Sequence, residues 1–152
     1  VQLRGCPAAG TWFHPDTLRF LAMPRETIQA MPAWAAFAAS LSAGRQEVEA
    51  IGAKLLVVYL PGKEQAALPL VADDGALLAR YVQRSSLQAI DVPADPATLL
   101  QQMQRNAGAL EDLISRHCAA QGIPFWSATA VLREAMAACQ QVYFRADSHW
   151  QA

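Results

Sequence analysis

The sequence has little charge, few cysteines and no long apolar run. Over 152 residues, 12 Lys and Arg stand against 13 Asp and Glu, for a net charge of −1, with the basic residues scattered. A nucleic-acid backbone or an anionic membrane surface calls for a concentrated positive field, so neither is an expected partner. No apolar stretch approaches the roughly 20 residues of a bilayer span, and "KLLVVYL" is far too short, so no direct membrane insertion is expected. Cys6, Cys118 and Cys139 form no C-x-x-C pair, so neither a zinc knuckle nor a disulfide framework is indicated. Buried structural thiols are the default reading, with a Cys118–Cys139 disulfide as the alternative in an oxidising compartment. There is no G-x-S-x-G elbow, so Ser40, Ser42, Ser85, Ser86, Ser115, Ser127 and Ser148 carry no nucleophile motif. Internal repeats are absent, as is low complexity beyond alanine enrichment. With no initiator Met before Val1 and no terminating element after Trp150, the chain reads as a piece of something longer.

What is there is ample apolar material. At 53% hydrophobic residues the chain can bury a core as one domain spanning 1–152, and disorder is excluded. Residues 1–23 read as loop, followed by a short apolar turn "DTLRFLAM" that Asp16 or Thr17 could cap. Trp34, Phe37, Leu41, Val48 and Ile51 recur at three- and four-residue spacing, which predicts a long amphipathic helix with one buried stripe and Gly52 as its cap. "KLLVVYL", 54–60, is an unbroken β-branched run ending at Pro61 and Gly62, the pattern of a central parallel strand covered on both faces. Leu110, Leu113, Ile114 and His117 predict a second helix over about 107–120, ended by Gly122 and followed by a short strand in "IPFWS". This order predicts an α/β layer with a parallel sheet. The stretch from about 61 to 105 exceeds a normal βα connection and is read as an insertion at the sheet's C-terminal edge, either a lid or a surface excursion. Within it "DGALLARYVQR" reads as helical and "DVPADPATLLQQM" as a loop leading into the second helix.

Two constellations could carry chemistry. In "VYFRADSHWQA", Asp147 and His149 are two apart, so an extended segment sends both side chains from one face. There a carboxylate can fix an imidazole's tautomer while the imidazole takes a hydroxyl proton, the lower half of a Ser-His-Asp triad. The plainer reading is a surface or capping pair. In "YLPGKE", Lys63 and Glu64 sit at the carboxyl end of the expected strand, where open α/β sheets place ligands. Their plainer reading is a solvated charge pair on a turn. A third arrangement, a metal held by Asp147 and His149 with His14 or His117, is half a site, and His117 lies on an apolar helical stripe where a core histidine is expected.

Taken together, "LLVVYLPGKEQ", "GIPFWSATAVL" and "VYFRADSHW" resemble the SGNH or GDSL hydrolase superfamily, more narrowly the branch related to bacterial alginate O-acetylation proteins. "TWFHPDTLRFLAMPRETI" is similar to the region preceding the strand in some members. The resemblance implies a three-layer α/β/α sandwich with a parallel, flavodoxin-like sheet, here incomplete. It implies an ester-cleaving or acyl-transferring Ser-His-Asp site for acetyl or other acyl esters of carbohydrate, with no cofactor and no metal. Carried over by position, the resemblance implies His149 as the general base and Asp147 as its orienting acid. It also implies that Trp150 packs beside the imidazole and that Lys63 occupies a site edge in the shared P-x-K turn. Family members mostly act outside the cytoplasm. The serine block of the superfamily is missing, the strand that usually ends in aspartate reads "FWSAT", and Gln151 replaces an Asn after H-W. The expectation is a base-bearing fragment, inactive alone; the alternative is a non-catalytic carbohydrate-binding or scaffold module. Oligomeric state is left open by the sequence.

Overall fold

The computed structural model describes residues 1–71, 75–87 and 89–144, with the backbone alone at 7–9. It is a mixed α/β structure, mostly helical. Two short strands, β1 (Gln2–Leu3) and β2 (Cys6–Gly10), pair antiparallel where a loop was expected. Three helices follow, α1 (Pro15–Leu21), α2 (Arg25–Ala30) and α3 (Pro32–Ala50). Then come β3 (Val57–Tyr59), α4 (Lys63–Ala67), a 3₁₀ turn at Leu68–Leu70 and α5 (Gly75–Val82). The remainder is α6 (Pro96–Asn106), α7 (Ala109–Ala120), β4 (Phe125–Ser127) and α8 (Thr129–Ala137).

β3 and β4 pair in parallel with Val57 opposite Phe125, Val58 opposite Trp126 and Tyr59 opposite Ser127. Side chains alternate across a strand, so Val57, Tyr59, Phe125 and Ser127 share the inner face. Val57, Tyr59 and Phe125 pack there on the Ile114–Cys118–Ile123 cluster carried by α7 and the turn after it. The strand is therefore parallel as expected but not covered on both faces: Val58 is 49% and Trp126 50% exposed, and the flanking Leu56 and Leu60 are exposed too. The apolar run encoded burial on two sides, and the described residues cover one.

The helix predicted from Trp34 to Ile51 forms, but its buried stripe does not. No residue of α3 is buried, and Ile51 is 81% exposed. Trp34 and Leu41 make only partial contact with the α7 cluster, because α3 leans on α2 and α7 along one edge. Its end matches expectation: Gly52, at φ 76°, donates to the Glu49 carbonyl and Ala53 to that of Val48, a Schellman closure. α7 ends the same way at Gly122.

The main core lies elsewhere. Leu18, Leu68, Leu78, Leu99 and Met103 are fully buried together with Val71 and Val82, joined by Leu3 and Cys6 from the hairpin, Met136 from α8 and Tyr143. Thus the 61–105 stretch, read as an inserted lid or surface excursion, supplies much of the apolar centre. Its α5 start approaches α6 closely enough that a Cβ at Gly75 would lie 2.8 Å from the Pro96 carbonyl oxygen. Of "DVPADPATLLQQM", read as a loop, only the start is one: α6 begins at Pro96, so "ATLLQQM" is helical, and Asp95 caps it by accepting from the Thr98 amide (2.8 Å) and hydroxyl (2.6 Å), which holds its carboxyl below the usual range.

Asp16 does not cap α1; His14 holds the cap position with no side-chain bond. Asp16 instead accepts from the Ser85 hydroxyl (2.7 Å), the Ser86 amide (2.6 Å) and the Ser86 hydroxyl (2.8 Å), pinning the turn after α5 to α1. Those hydroxyls, Ser85 first, pull its carboxyl down to about 2. A depressed carboxylate stabilises the fold above the unfolded value of about 3.9, and the contribution is lost as pH falls from there toward 2. A carbon-detected NMR titration is expected to place the Asp16 midpoint near that low value, and Ser85→Ala with Ser86→Ala to return it toward the ordinary range. A midpoint unmoved by the double change would remove the hydroxyls as the cause.

The sulfur chemistry corrects the sequence reading. Cys6 and Cys139 form a disulfide, Sγ–Sγ 2.05 Å, across a sequence separation of 133, and Cys118 is the buried free thiol. Spacing alone could not pair two cysteines that β2 and the end of α8 bring together through the fold. No described helix is long and apolar enough to cross a membrane.

Candidate functional site

The carboxyl end of the β3/β4 pair gathers a polar cluster. The chain leaves β3 through Pro61 and Gly62, and α4 begins at Lys63, so the three residues Lys63, Glu64 and Gln65 fall on the first turn of a helix aimed across the sheet edge. All three are buried, Lys63 and Glu64 at 2% exposure, which overturns the reading of a solvated charge pair. Burial of such groups is costly unless each finds partners. Glu64 Oε1 accepts from the His14 amide at 2.8 Å, tying the sheet edge to the start of α1. Lys63 Nζ donates to the Phe144 carbonyl at 3.3 Å.

Beside them runs a chain of side-chain bonds. Tyr59 donates its hydroxyl to Gln65 Oε1 (2.5 Å), and Gln65 Nε2 donates to Glu111 Oε2 (3.1 Å). The same carboxylate oxygen accepts from Thr129 Oγ1 (2.8 Å), which in turn accepts from Ser127 Oγ (2.9 Å). Five side chains from β3, α4, α7, β4 and α8 are thus joined through one carboxylate. Burial pushes the Tyr59 phenol up to about 12; the Gln65 bond opposes this and the Glu111 charge adds to it. Tyr143, almost fully buried, donates its hydroxyl to the Pro61 carbonyl at 2.8 Å, and burial first, then the Glu64 charge, holds its phenol well above the ordinary range.

Replacing Glu111 with Ala leaves the Gln65 and Thr129 donors without their acceptor. A loss of about 1–3 kcal/mol in urea unfolding is expected. The Tyr59 phenol should fall in an ultraviolet titration yet stay above 10, since burial is the larger cause. A phenol that returned to 10 would show instead that the Gln65 bond cancels the effect of burial and that the Glu111 charge supplies the whole rise.

Of the residues singled out from sequence, Lys63 lies at this edge; Asp147, His149 and Trp150 lie outside the described residues. Phe144, 46% exposed, is the last described residue before them. His117 is not a core histidine: it is half-buried on α7, with Nε2 3.3 Å from Ser42 Oγ and its ring edge-on to Trp34. That serine hydroxyl also donates to the Ala38 carbonyl one turn back, at 3.0 Å. Among the described residues no group of three or more His, Cys, Asp or Glu could hold a metal.

Sequence reading missed Gln65, Glu111, Thr129 and Tyr143. A signal existed for Gln65, because "KEQAALPLV" runs without a break into apolar residues and so places its charges against a core. Glu111 follows Leu110 on a helix whose stripe was read for its apolar members alone. No family model, no curated protein and no solved structure matches the chain.

Proposed function

We propose that this chain is the base-bearing part of an SGNH-type serine esterase or O-acyltransferase acting on acyl, chiefly acetyl, esters of carbohydrate. The observation that carries the reading is the contact between two segments 80 or so residues apart in sequence. Tyr143 bonds Pro61 and Lys63 bonds the Phe144 carbonyl, so the P-G-K-E turn and the approach to D-S-H-W meet at one sheet edge. A triad needs such convergence, because its acid and base must be held against a nucleophile brought from elsewhere. Parallel pairing of "VVY" with "FWS" agrees with a three-layer α/β/α sandwich, whose further layer would cover the exposed face of Val58 and Trp126. The Cys6–Cys139 disulfide agrees with an oxidising compartment.

One observation favours the alternative, a carbohydrate-binding or scaffold module without catalysis. Where the resembling proteins carry a strand-end aspartate, Ser127 spends its hydroxyl on Thr129, and exposed Trp126 next to it offers an aromatic face. The deciding experiment extends the chain in its reading frame on both sides until a serine block is included, then measures turnover of a small acetyl ester. Turnover by the extended protein and none by the 152 residues supports the esterase reading. Binding of acetylated glycan without turnover supports the module.

A further inference from the structure

Two neighbouring pockets that share Phe20, Ile28 and Leu110 in their linings open between the helices and form the two parts of a slot beside the polar cluster. Its inner part, about 280 Å³, lies against Phe20, Leu21, Ile28 and Leu110 and reaches Tyr59 and Gln65 at the end of β3. Its outer part, about 240 Å³, shares Phe20, Ile28 and Leu110 and continues to Met31, Trp34 and Phe37. Each part exceeds the ~150 Å³ apolar cavity that holds a benzene ring. Only the first turns of α3 border the slot, through Ala33, Trp34 and Phe37.

The distribution of polar groups identifies the occupant. Thr17, Tyr59, Gln65 and Asn106 border the inner part, and apart from the Trp34 indole no polar side chain borders the outer part. None of these groups is charged. Behind Gln65 stands the Glu111 carboxylate, 3.1 Å from the amide nitrogen, which repels an anion. Each side-chain amide nitrogen carries two hydrogens. Gln65 directs one to Glu111 and Asn106 directs one to the Ala22 carbonyl at 2.8 Å, so each retains a second for a carbonyl oxygen.

We propose that this slot takes the acyl part of a neutral ester with a chain longer than acetyl. The carbonyl lies at Gln65 and Asn106, and the methylenes run along Phe20 and Leu110 to Trp34. The inference rests on the ester reading for the identity of the head group and refines its substrate from acetyl toward medium-chain acyl.

The test titrates the 152-residue chain with ethyl acetate, butanoate, hexanoate and octanoate, following Trp34 emission, with Trp34→Phe subtracting the other tryptophans. Kd is expected to fall about fourfold per added methylene until the slot is filled. Ethyl acetate should not saturate, and octanoate anion should bind at least tenfold more weakly than its ethyl ester. Ala33→Trp, an exposed position at the outer part, should weaken ethyl octanoate at least tenfold with an unchanged urea midpoint. Absence of saturable binding, a Kd flat across chain length, equal binding of the anion, or indifference to Ala33→Trp would each overturn the proposal, as would concentration-dependent dimerisation that Ala33→Trp abolishes. Because these readouts need no turnover, chain-length-dependent binding in a protein whose extended form cleaves no ester would sink the esterase reading and leave the slot. Acetyl turnover with flat binding would do the reverse.

Discussion

Replacing Cys6 and Cys139 together with serine is expected to lower the stability of the chain by about 5 kcal/mol. The bond closes a loop across a sequence separation of 133, and the chain-entropy cost of cross-linking the unfolded state grows with the logarithm of that loop, reaching about 5 kcal/mol at 25 °C. Domains of this size hold only about 5–15 kcal/mol in all, so the reduced protein should sit near its unfolding midpoint under mild denaturant. One local fact adds to the loss. Cys6 is 2% exposed within the main core, where a serine hydroxyl is less welcome than sulfur. Cys139 takes the left-handed position, φ 61°, that closes α8, a place glycine usually fills. There its amide donates to the Met136 carbonyl and that of Gln140 to Ala135. Urea unfolding with and without a thiol reductant measures the difference; a midpoint unchanged on reduction would show that the hairpin and α8 are held by packing alone.

The disulfide also marks the boundary of what the sequence could disclose. Elements whose pattern and punctuation agree were legible: α7 with its Leu113 and Ile114 stripe and Gly122 close, α3 with Gly52, and the parallel strands at Val57–Tyr59 and Phe125–Ser127. Side-chain environment was less legible, because periodicity reports which residues could be buried and not what arrives to bury them. Trp34 to Ile51 has a helical stripe, yet α3 meets only part of one neighbouring face, so Ile51 remains in water. "KLLVVYL" has two apolar faces, and the described structure covers one. At 61–105 the difference runs the other way. The length of that stretch suggested an excursion, but Leu68, Val71, Leu78 and Leu99 are core residues set apart by unequal intervals rather than by one clean period. At the site, Lys63 could be found because a strand, Pro and Gly precede it, whereas the Tyr59–Gln65–Glu111–Thr129 chain is assembled from four elements and leaves no spacing to read.

The strongest test of the functional reading is His149→Ala in the protein extended to carry a serine block, where kcat/KM for an acetyl ester is expected to fall about 10⁴-fold or more. Removing the general base leaves the nucleophile protonated, with binding and oxyanion stabilisation as the remaining contributions. Asp147→Asn should cost roughly 10³- to 10⁴-fold, since an amide in place of the carboxylate selects the wrong imidazole tautomer. The rate of the unaltered protein should also fall as the pH is lowered, as the imidazole takes a proton and ceases to be a base. Lys63 separates chemistry from placement. Its ammonium holds the Phe144 carbonyl, and Asp147 follows three residues later, within about 10 Å of extended chain. Lys63→Met should therefore reduce kcat without shifting the low-pH limb of the profile, because it loosens the segment but leaves the base chemically intact. A variant that moved the limb would make Lys63 a partner of the titrating group, and an activity indifferent to His149→Ala would end the triad reading altogether.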